Sequence, residues 1–271
     1  MSMSINNNSI SSSALSSASS RVDKSNQQMS SGLKINNAAD DAAGLSIATG
    51  LSSQTRGQLQ AIRNTSDGIS LTQTASGALK GVTENLQRIR ELSVQAANGT
   101  YSDEDRALLN KEAQGLIEQT ESVLESANFN GVSLFGAASD QAFQVGPNSG
   151  DTLVVEGDNL QERVANLGLS SLDLSTQAGA SSAIELSDAV LGSISESAVS
   201  FGALESRFNS RIQDLEEQSL NSAESTSRIQ DLDYAKASSE RSAALIQEQV
   251  GIAMQAQANK SAGNILALLG S

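Results

Sequence analysis

The sequence predicts a mainly α chain, with long helices, its two ends paired with each other, and one small β-hairpin in the middle. Three observations lead there. Long stretches place apolar residues at alternating three- and four-residue spacing, the mark of helix–helix seams. The single proline of the 271 residues, Pro147, lies mid-chain, so no proline interrupts the helical patterns on either side. Aromatic residues make up only 3% of the chain and Trp is absent, which leaves few large side chains for one ball-shaped core.

The first helical pattern runs Leu15, Ala18, Val22, Met29, Leu33, broken by the polar Ser25. It is a narrow amphipathic stripe among serines, which lower helix propensity. Gly32 and the Asn36-Asn37 pair mark a bend. A second helix is predicted from about Thr55 to Ala97, where Leu79, Val82, Leu86, Ile89, Ser93 and Ala96 follow strict heptad spacing. Asn98-Gly99 ends it. Ser102 and Asp105 form a capping-box pattern that starts a third helix, reaching about Ala127, where Asn130-Gly131 closes it.

Past that point the period changes from helix to strand. Phe143 and Val145 alternate with polar residues, a Gly146–Gly150 turn cluster follows, and Thr152–Val155 comes next, so a hairpin is predicted near 141–156. It is the one sheet the sequence predicts. From about Ser181 to Leu269 a nearly continuous helical pattern returns. Ile194, Phe201, Phe208, Leu215 and Ile229 lie on one seven-residue series broken by Ser222, a seam that needs partner helices. The last stretch carries Leu245, Ile252, Leu266 and Leu269 and mirrors the N-terminal stripe, so a terminal coiled coil is expected between Leu15, Val22, Met29, Leu33 and these four.

Charge divides the chain the same way. The net charge is −14, but residues 1–60 carry +1, residues 241–271 carry +1, and the 180 between them carry −16. A heavily charged middle suits a solvated exterior, and near-neutral, ring-free ends suit close packing against other chains. Alone, such ends bury too little to offset about 1–2 kcal/mol of backbone entropy per residue.

The same composition excludes much chemistry. Without Cys or His there is no disulfide, no thiolate or imidazole metal site and no Ser-His or Cys-His relay. The acid excess argues against a nucleic-acid partner. Asp40-Asp41 and the Asp231/Asp233 pair do not complete a calcium-loop pattern, and no phosphate-cradling glycine motif occurs. Ser31-Gly32-Leu33-Lys34 matches S-x-x-K, but the partner motifs of serine acyl enzymes are missing. No catalytic residue, metal ligand or cofactor is expected. No apolar run approaches the roughly 18 residues of a membrane span, and the Ser- and Asn-rich start does not read as a secretory signal. The chain is therefore expected to stay in the cytoplasm or to leave by a route without a cleaved signal.

Several stretches carry more than periodicity. SGLKINNAADDAAGLSI (31–47), AIRNTSDGISLTQTASGAL (61–79), LQRIRELSVQAANGT (86–100) and NFNGVSLF (128–135) resemble the N-terminal region of bacterial flagellin. SRIQDLDYAKASSE (227–240) and QAQANKSAGNILALL (255–269) resemble its C-terminal region. The resemblance implies a long helical rod and a terminal coiled coil with one small β-hairpin. The inner domain would be 1–42 with 236–271 and the rod 43–235, with no room for a further outer domain. The rod seam would be formed by Leu79, Val82, Leu86, Ile89, Ile194, Phe201, Phe208, Leu215 and Ile229.

The resemblance also implies a structural subunit of the flagellar filament, exported unfolded through the flagellar type III apparatus. Such a chain polymerises with copies of itself outside the cell. Implied partners are an export chaperone at the C-terminal helix, about 240–271, and the flagellar cap and hook-associated proteins. A vertebrate flagellin-sensing Toll-like receptor would be met at Arg88, Leu92 and Glu112, which stand where the family has receptor contacts. A hook–filament junction protein or a minor co-assembling flagellin is the alternative, the latter because serines replace apolar residues in the N-terminal stripe.

Overall fold

A computed structural model describes the backbone of residues 2–136 and 140–269, and side chains except those of 2–11, 262 and 265–269. Six helices dominate the described residues: α1 Ser2–Ser31, α2 Ala42–Ala96, α3 Asp103–Ser126, α4 Leu160–Leu167, α5 Gln177–Gln230 and α6 Tyr234–Leu269. Two antiparallel two-stranded sheets join them, β1 Asn128–Phe129 with β2 Val132–Ser133, and β3 Gln141–Gln144 with β4 Thr152–Val155. The chain divides into two compact units, residues 55–219 and residues 1–54 with 220–271.

In the 55–219 unit one contiguous apolar core is shared by α2, α3, α4, α5 and the second hairpin. The heptad series of α2 lies inside it, with Leu79, Val82, Leu86 and Ile89 at most 1% exposed. Two edge-to-face ring pairs tie α5 to the segments between α3 and α4. They are Phe135–Phe201, with centroids 6.0 Å apart, and Phe143–Phe208, 5.6 Å apart. Gly68 exists for the second pair: a Cβ there would lie 2.6 Å from the Phe208 ring.

The predicted capping box is formed. The Ser102 hydroxyl accepts from the Asp105 amide, and the Asp105 carboxylate accepts from the Ser102 amide. The hairpin at 141–156 is formed too, in the register Gln141↔Val155, with Leu153 and Val155 turned into the core.

Four features differ from the sequence expectation. Asn130-Gly131 is not a helix stop but the turn of a second hairpin. Asn130 and Gly131 both have positive φ, 51° and 80°, the condition for a two-residue hairpin turn. Its strands are two residues each, too short to show alternation. Second, α2 starts at Ala42, well before Thr55. The Asp41 carboxylate accepts from the Gly44 amide and starts the helix, while Gly44 and Gly50 blur the pattern that follows. Third, the 181–269 pattern is two helices. Asp233 accepts from the amides of Ala235 and Lys236 and begins α6 afresh. Fourth, α4 and a 3-10 turn at Leu169–Ser171 cover the core with Leu160, Val164 and Leu169, and the left-handed Gly168 (φ 89°) joins them.

In the other unit α1 and α6 pack antiparallel, as the contacts Leu15–Gly251, Asn26–Arg241 and Met29–Tyr234 show. The α1–α2 and α5–α6 connections clasp each other. The Lys34 amide donates to the Gln230 carbonyl (2.7 Å) and the Leu232 amide to the Gly32 carbonyl (3.0 Å), an isolated antiparallel bridge between Leu33 and Asp231. The Tyr234 hydroxyl donates to the Met29 carbonyl at 2.8 Å. Asp40 braces the same turn, accepting from the Asn36 and Asn37 amides and pairing with Lys24 at 2.8 Å. Its pKa is lowered, first by the Lys24 hydrogen bond and then by the Asn36 amide.

Candidate assembly surfaces

The terminal helix pair is built from small residues. On α6 the small residues of the seam are Ala237, Ala244 and Gly251, one seven-residue series, and the two alanines are at most 5% exposed. On α1, Ala18 is 2% exposed, and a Cβ on Gly251 would come within 3.2 Å of Leu15. Small side chains let the two backbones approach closely.

The large apolar residues of this unit are placed differently from the expected coiled coil. Val22 is buried, and Leu15, Met29, Leu33 and Leu245 are half-buried. Ile252 does not join the pair: it is 54% exposed, because the seam runs through its neighbour Gly251. The side chains of Leu266 and Leu269 lie outside the described residues. Ile246, Val250 and Met254, spaced four apart, form an outward stripe, each more than half exposed. In a soluble monomer an apolar row of this kind marks an association surface.

In the 55–219 unit, Leu79, Val82, Leu86, Ile89, Ile194, Phe201 and Phe208 lie in the core, and Leu215 is buried outside that cluster. Ile229 belongs to the other unit and is half-buried there. Ser222, the break in the series, is itself 8% exposed.

Arg88 and Glu112 meet on the surface, with a guanidinium–carboxylate distance of 2.7 Å, and Glu91 adds a second carboxylate at 3.1 Å. The Glu112 hydrogen bond raises the Arg88 pKa above its ordinary value. Leu92 is not on that surface: it is fully buried beneath it. Beside it Arg90 pairs with Asp188 of α5 at 2.6 Å, which lowers the aspartate pKa. Val94 and Leu108 are exposed apolar residues of the same unit.

Among the described residues no three acidic side chains converge as a metal site would require, and no helix is long and apolar enough to cross a membrane. Buried helix seams, an exposed apolar row and near-neutral ends are the features of a structural protein.

Comparison with known proteins agrees. The model of the bacterial flagellin N-terminal helical region matches residues 4–140, and that of the C-terminal helical region matches residues 184–269. A flagellin of Halalkalibacterium halodurans is 38% identical over 91% of both chains. Phase 1 flagellin of Salmonella naestved is 43% identical over 55% of this chain, which spans 29% of that relative. The crystal structure of Bacillus cereus flagellin, 29% identical, covers 56% of this chain and 88% of its own with a TM-score of 0.52. The chain belongs to the bacterial flagellin family and is a structural filament subunit, not an enzyme.

Proposed function

We propose that this flagellin joins its filament chiefly through the terminal unit, 1–54 with 220–271. The inner domain would be 1–42 with 236–271, and 43–235 would be the outer helical rod. The observation that carries this reading is the outward stripe Ile246, Val250, Met254, each more than half exposed. Stacking copies would bury it at about 25 cal/mol per Å². The near-neutral ends assemble without like-charge repulsion, while the charged middle stays in water.

The same stripe would keep an export chaperone engaged at α6 before secretion through the flagellar type III route. The flagellar cap and hook-associated proteins would be the partners at the growing and basal ends. Vertebrate receptor recognition would fall on the Arg88–Glu112 pair, with Leu92 acting from below by seating α2; a receptor reporter assay on depolymerised Arg88→Ala protein tests it. The filament reading itself is tested by adding flagellar seeds to the purified chain and following elongation by electron microscopy.

A further inference from the structure

Of the two methionines with described side chains, Met254 is the exposed one, at 61%, and Met29 is half-buried. Met254 continues the i, i+4 row begun by Ile246 and Val250, on α6. Val and Ile are inert to mild oxidants, so Met254 is the reactive member of the row. We propose that Met254 is an oxidation site controlling self-association of the chain, the occupant of the row being a second copy. This rests on the filament reading above.

The step is simple. The Sδ lone pair attacks one peroxide oxygen. The S–O bond forms as the O–O bond breaks, sulfur loses two electrons, and the peroxide leaves as water once the second oxygen takes its proton. The product is a methionine sulfoxide, polar and hydrogen-bonding, at the end of an apolar row. In the monomer the new S=O is solvated and costs little. In the filament it must give up that water, and its row neighbours Val250 and Ile246 offer no donor in exchange. Oxidation therefore acts on assembly and leaves the monomer fold intact. The neutral surroundings, with Glu248 the only acid in 241–271, add no charge that would compensate.

The test treats the purified monomer with hydrogen peroxide and assigns each oxidised methionine by peptide mass spectrometry. Seeded elongation is then measured for the native chain and for Met254→Leu, each treated and untreated. Expected is faster oxidation of Met254 than of Met29, and a critical concentration raised about tenfold in the treated native chain. Methionine sulfoxide reductase should restore it, and Met254→Leu should elongate equally well with or without peroxide. Unchanged elongation of a chain fully oxidised at Met254 would overturn the proposal. So would an equal loss in treated Met254→Leu, which would place the effect elsewhere. No elongation of the untreated native chain would instead overturn the filament reading, and the proposal with it.

Discussion

Arg106 is buried although it is charged, and its partners explain why. Its guanidinium donates to the Ala96 and Asn98 carbonyls, at 2.8 and 3.0 Å, where α2 ends, and its side chain is only 8% exposed. A helix C-terminus has unpaired carbonyls and a partial negative charge, and a cation satisfies both. The Asp103 carboxylate in the same network is 88% exposed, so it adds little. Arg106→Ala should lower the stability of the 55–219 unit by about 2 kcal/mol, because it leaves the carbonyl of the buried Ala96 without this donor. Urea unfolding followed by circular dichroism measures this, and a loss under 0.5 kcal/mol, taken as roughly the ordinary surface scatter, would refute it.

Asp40 is the other informative residue. Its folded pKa is lowered by Lys24 and the Asn36 amide. A carboxylate with a lowered pKa contributes stability in full above its unfolded value, about 3.9, and loses it as pH falls through the folded value. Asp40→Asn should therefore reduce stability at pH 7 and flatten the fall in stability below about pH 4. Thermal unfolding at several pH values reads both effects; an unchanged acid slope would show that Asp40 does not hold the turn.

At the scale of elements, the α2 and α5 seams were legible because large apolar residues sit at heptad spacing, and the capping box and the longer hairpin because their residue types have few other uses. The terminal pair was legible as a pair but not in its residues. Ala237, Ala244 and Gly251 carry little hydrophobic signal of their own, and a larger apolar residue such as Ile252 points away from the seam. The seven-residue spacing of small residues was the available signal. The Asn130-Gly131 turn was visible as a motif, but it serves equally as a helix stop when the strands are two residues long. The caps at Asp41 and Asp233 were present in the sequence and lay inside patterns that looked continuous. Close packing at the small seam makes a prediction: Ala244→Leu should force α1 and α6 apart and cost about 1–3 kcal/mol in that unit. The 55–219 unit should be unaffected. Hydrogen exchange resolves the two, and loss of protection in α6 with no loss in α3 is the expected result.

For the whole molecule, the scarcity of rings and the divided charge have one explanation. The middle of the chain has a core of its own, to which all five phenylalanines contribute buried or half-buried rings. The ends have a seam of small residues and a mostly exposed apolar row, which the proposed filament contacts would cover. Family membership followed from local signatures spread along the sequence. Where each candidate contact residue lies, such as Leu92 beneath the surface and Arg88 upon it, required the fold. The most direct test is seeded elongation of the native chain beside Val250→Glu. Val250 is 56% exposed, so the substitution leaves the monomer folded. The native chain should extend seeds into tubes while Val250→Glu remains monomeric with an unchanged melting curve. Equal elongation by both would contradict the claim that this row carries assembly.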